Sequence, residues 1–440
     1  MTMAPTNETV NETVDEAAGG AARPAASGLP RLLPLVPGVP EDLRAHLARH
    51  GRLPYRGGPG LLIHGVEEAG LTGRGGAAFP VAHKLAIVAR ARGRKVIVAN
   101  GAESEPASRK DALLLRAAPN LVLDGLQLAA EAIGASEAHL FLHPGVSPEI
   151  LRALNQRAAA GLDWLGVTIT EAPPRFLAGQ ESALVNRLGG GPAVPTFVPP
   201  RVSERGLGGA PTLVQNVETL AHLALIARYG PRWFRTLGTA QEPGSMLTTV
   251  QTQENTQIIE AEIGTPLRTL LPAGIRAQAV LIGGFHGAWL PAATTGTLTL
   301  DNQALKAHGA ALGAGVIAAL PADRCGLAEA ARVVRYLAAE SAGQCGPCLN
   351  GLPRIAEGLA TLARLRPNPR VRADVERWAG LVVGRGACSH PDGSVRFVRS
   401  ALTVFAAELR HHERGVCSAS ARHPFLPLPP GTAVSDEDWS

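Results

Sequence analysis

Cys345 and Cys348 stand in "GQCGPC", a C-x-x-C with Pro347 inside it. Two thiols three residues apart on a tight turn can grip one metal ion, or one edge of an iron–sulfur cluster. Three residues upstream, where a further cysteine would complete C-x-x-C-x-x-C, the chain has Ala342. The other cysteines are Cys325, Cys388 and Cys417. Five thiols without a secretory leader argue against a disulfide framework and for free thiols or metal ligands.

A second group of residues suits an anionic ligand. "GLTGRGGAAFP" carries Gly70, Gly73, Gly75 and Gly76 within seven residues. A turn this rich in glycine lets main-chain amides converge on an anion and lets a ligand approach the backbone. It fits neither the P-loop nor the dinucleotide fingerprint. Arg74 and Lys84 flank it and are expected to neutralise a phosphate. Next comes "VANGAESEPASRKD", at the carboxyl end of the strand-like run "KVIVAN", where open α/β sheets bind ligands. Asn100, Glu103, Ser104 and Glu105 offer an amide, a hydroxyl and two carboxylates there.

The elements that must position these residues follow from periodicity. "KVIVAN", "AHLFLHP" and "LGVTITEAP" read as strands, separated by the helical runs "APNLVLDGLQLAAEAIGA" and "SPEILRALNQRAAAG", the latter with Ser147 as N-cap. That alternation predicts an α/β layer with parallel strands. Residues 231–244 read as a boundary. Between about 245 and 300, "MLTTVQT", "IIEAEIG", "AVLIGGF" and "TGTLTLD" predict a small β-rich module of the β-grasp kind, with one short helix, "PLRTLLPAG". From 326 to about 414, apolar residues recur at three and four, as in a helix bundle. "HH" at 411–412 is expected at a solvated helix end. The tail after 418 is polar and proline-rich.

Composition excludes several classes. The 440 residues are 45% hydrophobic and 4% aromatic, with net charge +5. Lysine occurs only at Lys84, Lys95, Lys110 and Lys306, and the arginines are scattered, so no basic stripe for nucleic acid forms. No apolar run is long enough to span a membrane.

Five segments in order carry a resemblance over about residues 60–410. "GLTGRGGAAFPVAHK", "NGAESEP", "GQES" at 179–182, "QNVET" at 215–219 and "SAGQCGPC", with Cys388 beyond, resemble the NADH-oxidising flavoprotein subunit of respiratory complex I (the 51 kDa, NuoF-like family) and its relatives in soluble hydrogenases and formate dehydrogenases. The resemblance implies FMN and an iron–sulfur cluster. FMN would be held by Gly73, Arg74, Gly75, Gly76, Lys84, Asn100, Glu103, Ser104, Gly179, Asn216 and Thr219. Glu105 and Glu181 would be catalytic, and Cys345, Cys348 and Cys388 metal ligands. The implied division is a disordered 1–28, an FMN-binding α/β domain over 29–240, a β-grasp (SLBB-like) domain over 241–305, a helical iron–sulfur domain over 306–418 and a disordered tail over 419–440. The implied activity is NAD(P)H dehydrogenase-like electron transfer, from a nicotinamide through FMN to a cluster and on to a ferredoxin-like or quinone-reductase partner. The implied location is cytoplasmic, with any membrane contact made through partners.

The chain also departs from the family pattern. Ala102 replaces an aspartate, Gln180 an acid, Val198 a lysine, and Arg201 a phenylalanine that stacks on adenine. The donor could therefore be NADH, NADPH or another reductant. With Ala342 in the loop, three cysteines leave open a [3Fe–4S] cluster, or a [4Fe–4S] cluster completed by water, Ser341, Gln344 or His390. Zinc on Cys345, Cys348, Cys388 and His390 is a further alternative, as is no metal. Cys325 is expected about 24 Å from the loop, at the far end of a helix of sixteen residues; it and Cys417 are expected to be ordinary thiols. The rival reading of the whole chain is a degenerate paralogue kept as a binding or scaffold module.

Overall fold

The computed structural model describes residues 28–55, 58–421, 423–429 and 439. The chain opens with helices α1 (Leu43–His50), α2 (Pro59–Ala69) and α3 (Val81–Arg90). Then follow β1 (Val96–Gly101), α4 (Lys110–Ala117), α5 (Pro119–Ile133), β2 (Glu137–Leu142), α6 (Ser147–Ala159), β3 (Val167–Glu171), α7 (Glu181–Leu188), β4 (Thr212–Asn216) and α8 (Val217–Phe234). The four strands are parallel, in the order β3-β2-β1-β4. The sequence pattern does not announce β4. "TLVQN" is only five residues long and ends in amides, so its alternation gives a weak signal.

The sheet core is built from β-branched and leucine side chains that β1, β2 and β4 bury against α5 and α8. Every residue of α5 except Glu131 is buried. Gly125 makes that packing possible: a Cβ there would lie 2.0 Å from the Leu220 carbonyl oxygen of α8. Asp124 of α5 takes His46 Nε2 at 2.7 Å and Arg157 at 2.8 Å, and also binds Arg228. One buried carboxylate thus ties α1, α6 and α8 together. Ser147 lies inside α6 rather than capping it, and its hydroxyl donates to Glu171 at 2.8 Å.

A second sheet holds β5 (Ser245–Gln251), β6 (Thr256–Glu262), β7 (Ala277–Ile282), β8 (Ala288–Pro291) and β9 (Val316–Pro321), in the order β6-β5-β9-β7-β8. Helices α9 (Leu267–Leu270) and α10 (Asn302–Lys306) interrupt it. Two expectations are corrected here. "TGTLTLD" contributes no paired strand, only an isolated bridge at Thr299. The central strand β9 lies beyond residue 305, so the β module extends to Pro321.

The helical module comprises α11 (Gly326–Ala339), α12 (Leu352–Leu362), α13 (Arg370–Val382), α14 (His390–Val404) and α15 (Ala406–Glu413). The following segment, expected to be unstructured, packs back on it. The Phe425 and Leu426 amides donate to Glu329 at 3.1 Å each, and Leu426 is buried. Trp439 docks as well, accepting from the Ala193 amide at 2.7 Å and lying under the Arg175 guanidinium. His412 is buried, not solvated. The expected disorder of 1–28 falls outside the described residues except at Gly28.

Candidate active site: the strand-end crevice and the cysteine loop

Strand order places the crevice. The chain runs outward from β1 to β2 and β3, then returns to the other side of β1 as β4. The switch point lies between β1 and β4, where parallel sheets open to ligands. Asn100 and Asn216 are paired neighbours at the carboxyl ends of those strands. The glycine turn 73–76 faces this point: a Cβ on Gly75 would meet Asn216 Cβ at 3.3 Å.

Asn216 caps α8, accepting from the Glu218 and Thr219 amides at 2.9 and 3.4 Å. Thr219 Oγ1 accepts from the Arg74 amide at 2.9 Å, which fastens the glycine turn to the helix. The positive end of α8, which runs straight until a kink at Gly230, therefore faces the crevice. Lys84 Nζ donates to the Val214 carbonyl and pairs with Glu181, both at 2.8 Å. Asn100 Nδ2 donates to Gly179 O at 2.8 Å, and the Gly179 amide donates to Ser104 Oγ at 3.0 Å. A Cβ on Gly179 would lie 2.6 Å from the Ala102 carbonyl oxygen, so only glycine allows the "GQES" turn to lie on the strand-end segment. Lys84, Asn100, Ser104, Gln180, Glu181 and Asn216 are all partly exposed along the crevice.

Three residues expected to face the ligand turn away from it. The Arg74 guanidinium is buried and donates to Thr72, Ser245 and Pro243 carbonyl oxygens, bridging the first module to the second. It is not available to a phosphate. The Glu103 carboxylate accepts from the Lys110, Asp111 and Ala112 amides, at 2.9, 3.2 and 3.4 Å, and so caps α4. Glu105 accepts from the Phe285 amide at 2.8 Å and the Ala107 amide at 3.2 Å, and burial pushes its carboxyl up to about 7. It positions the "GGF" turn of the second module. Gln180 caps α7 through Oε1, accepting from the Ser182 and Ala183 amides at 2.9 Å each.

Beneath the crevice lies a charge cluster that the motifs alone do not point to. Lys110 Nζ, buried, pairs with Asp111 at 2.7 Å and Glu218 at 2.8 Å. Glu218 also accepts from the Leu247 amide at 2.9 Å. Burial would raise the Glu218 carboxyl, but Lys110, His222 and Arg74 outweigh it and hold it at about 2. The signal available in the sequence is Lys110 itself, one of four lysines in a chain that otherwise uses arginine.

The other face of the glycine turn leaves little room. Between Thr72–Gly76 and Asn302, Leu312 and Gly313 of the second module there is a cavity of about 20 Å³, large enough for water alone. On the strand-end side the Gly75 and Gly76 amides, the α8 terminus and Lys84 form a donor set that suits a phosphate, whereas the Gly73 and Arg74 amides are spent on Phe79 O and Thr219 Oγ1, and the Asn100 and Asn216 carboxamide donors on Gly179 O and Asp111.

The cysteine loop is joined to this crevice. After β3, the Phe176 amide donates to Glu340 at 2.8 Å and Arg175 pairs with the same carboxylate at 3.2 Å. Glu340 immediately follows α11 and lies two residues before Ala342. Cys348 sits in a π-helical turn, Pro347–Gly351, with Cys345 and Ser341 as near neighbours, and Cys388 lies near both cysteines. Burial pushes the Cys348 thiol up. His390, expected as a replacement ligand, is excluded: its Nε2 donates to Leu337 O at 2.8 Å and its Nδ1 accepts from His286 Nε2 at 3.0 Å. Gln344 is exposed. Ser341 lies beside the Cys348 thiol. The three cysteines and this hydroxyl form a donor set compatible with an iron–sulfur cluster.

Phe197 is a candidate that the motifs do not mark. The Thr196 amide donates to Ser182 Oγ at 3.0 Å, holding the strand-like segment against α7, and Phe197 beside it is 76% exposed. Arg201 is exposed in the same loop.

Comparison with known proteins agrees with this architecture. Residues 66–225 match the Nuo51 FMN-binding domain, and residues 328–412 match the NADH-ubiquinone oxidoreductase-F iron-sulfur binding region. An NADH-quinone oxidoreductase subunit of Rhizobium meliloti is 30% identical over 379 residues, covering 80% of this chain and 89% of that protein. The corresponding NADH-quinone oxidoreductase subunit of Mycobacterium bovis is 30% identical over 404 residues, covering 84% and 88%. The crystal structure of an NAD+-reducing [NiFe]-hydrogenase in the H2-reduced state superposes with a TM-score of 0.72 at 28% identity; the match covers 83% of this chain and 64% of that one. Fold and site together define an oxidoreductase flavoprotein that carries FMN and an iron–sulfur centre in one chain. The chain belongs to the NuoF-like family, the flavoprotein subunits of NADH-quinone oxidoreductase. No helix among the described residues is long and apolar enough to cross a membrane.

Proposed function

We propose that the chain is the electron-entry subunit of a larger redox assembly, taking electrons from a nicotinamide and delivering them through the cysteine loop to a ferredoxin-like or quinone-reductase partner. The observation that carries this reading is the link Arg175/Phe176–Glu340, which couples the loop leading into the flavin crevice to the loop bearing Cys345 and Cys348. FMN, when bound, supplies the conversion of a two-electron hydride donor into single-electron steps. The chain supplies the setting. The Gly75 and Gly76 amides and the α8 terminus that Asn216 caps hold the phosphate end, with Thr219 fastening the turn from beneath. Lys84, Asn100, Ser104 and Gly179 fix the ring and ribityl edge. Glu181, half-exposed and paired with Lys84, faces the entering nicotinamide. Phe197 offers the aromatic face that Arg201 lacks, and Arg201 offers charge to a 2′-phosphate. Cys345, Cys348 and Cys388, with the Ser341 hydroxyl, hold the cluster.

Anaerobic purification, a visible spectrum, assays of flavin, iron and sulfide, and bleaching by NADH and by NADPH test this together. A yellow-brown chain with one FMN that bleaches with either nicotinamide supports the proposal. A colourless chain that takes up no FMN sinks it and leaves the scaffold reading, which the burial of Arg74 and the substitution at Ala342 favour.

A further inference from the structure

Cys325, Glu408, His412 and Cys417, which belong to no part of the redox site, come together at the far end of the helical module. One ligand atom from each lies within 4.8 Å of all the others. Cys325 caps α11, and the Ala328 amide donates to its sulfur at 3.4 Å. Glu408 and His412 stand one turn apart on α15. Cys417 arrives because the chain folds back after α15, with the Val416 amide donating to the His411 carbonyl at 3.0 Å. The Cys417 thiol thus lies beside both Cys325 and Glu408.

We propose that these four side chains form a structural zinc site of the Cys₂HisGlu type. The dimensions agree with it. Bonds of about 2.3 Å to sulfur and about 2.0 Å to nitrogen or oxygen, at tetrahedral angles, separate sulfur from nitrogen by about 3.6 Å and nitrogen from oxygen by about 3.3 Å. Cys325 Sγ and His412 Nε2 are 3.6 Å apart, and His412 Nε2 and Glu408 Oε1 are 3.1 Å apart. The outer contacts agree as well. His412 Nδ1 lies 3.2 Å from the Leu362 carbonyl oxygen, so Nδ1–H donates there and the Nε2 lone pair is left for a ligand. That lone pair points at a carboxylate oxygen, and a cation between them turns two opposed acceptors into two ligands. Glu408 is oriented by the Ser418 amide, at 2.9 Å, and by the Ser418 hydroxyl. His412 and Glu408 are buried, and the two sulfurs are partly covered. Two thiolates with an imidazole and a carboxylate select zinc over magnesium or calcium. Such an ion would bolt the segment after α15 to the start of α11.

The test uses the full chain, grown and reconstituted with zinc and iron, with metal content measured by mass spectrometry. The expected result is one zinc per chain beside the iron. Cys325→Ser and Cys417→Ser lose the zinc and keep the iron, whereas Cys348→Ala loses iron and keeps zinc. Cobalt(II) added to zinc-free protein gives a thiolate-to-metal charge-transfer band that the Cys417→Ser variant lacks. Cys417 is the variant to rely on if Cys325→Ser fails to fold. His412→Cys is expected to retain zinc. The proposal is overturned if the wild-type chain holds no zinc after reconstitution or if zinc persists in Cys417→Ser.

Discussion

Lys84 brings a charged group to the crevice from the glycine-turn side, and it is held there by Glu181 and a strand carbonyl. Replacing it with methionine keeps the stem and removes the charge. A hydrogen bond to a charged group is worth about 1.5–3 kcal/mol, so FMN affinity measured by fluorescence quenching is expected to fall roughly ten- to a hundredfold. Phe197→Ala removes an exposed aromatic face worth about 0.5–1.5 kcal/mol. The nicotinamide KM is expected to rise several-fold with the flavin content unchanged. At the cysteine loop, Ala342→Cys restores a fourth thiolate next to Ser341, and the cluster is expected to survive exposure to air longer, as followed by loss of visible absorbance. At this scale the sequence is informative about which segments matter but not about which way side chains point. Arg74, Glu103 and Glu105 lie in the right segments, yet each is spent on an internal contact. Nothing in residue type distinguishes a guanidinium facing a phosphate from one capped by three carbonyls.

Helices α5 and α8 meet where Gly125 has no side chain. A methyl group there would drive into the Leu220 backbone, which cannot move as a side-chain end could. Overpacking a tight core costs about 1–3 kcal/mol and sometimes more. Gly125→Ala is therefore expected at or above the top of that range, read as a fall in the thermal midpoint. The parallel layer is legible from "KVIVAN", "AHLFLHP" and "LGVTITEAP" because buried strands write themselves as apolar runs. β4 is not, because its five residues end in Gln215 and Asn216. β9 falls on the far side of the expected boundary for a different reason. It pairs in parallel with β5, some seventy residues earlier, and no local pattern records such a partner.

Between the modules, the Lys110–Glu218 pair and Arg74 form a buried junction. Glu218 belongs to α8 but holds the Leu247 amide of β5. Removing one member of a buried pair leaves its partner uncompensated and costs about 3–5 kcal/mol. Glu218→Gln is expected to lose about that much in denaturant unfolding at pH 7. Because the folded carboxyl is held at about 2, below its ordinary value of 4.5, it stabilises the fold above about pH 4.5. The gap between wild type and Glu218→Gln should therefore close as the pH falls from about 4.5 to about 2. The docked tail and the Cys325–Cys417 cluster are invisible to local pattern because both depend on the chain reversing after α15.

Asn100 and Asn216 meet only because β4 is laid beside β1 after the whole of α4 to α7 has been made. A parallel pairing of that separation forms late in a folding reaction. Refolding followed by flavin quenching should thus lag behind refolding followed by far-ultraviolet circular dichroism. A ribosome-bound fragment ending before Thr212 should capture no cofactor at all.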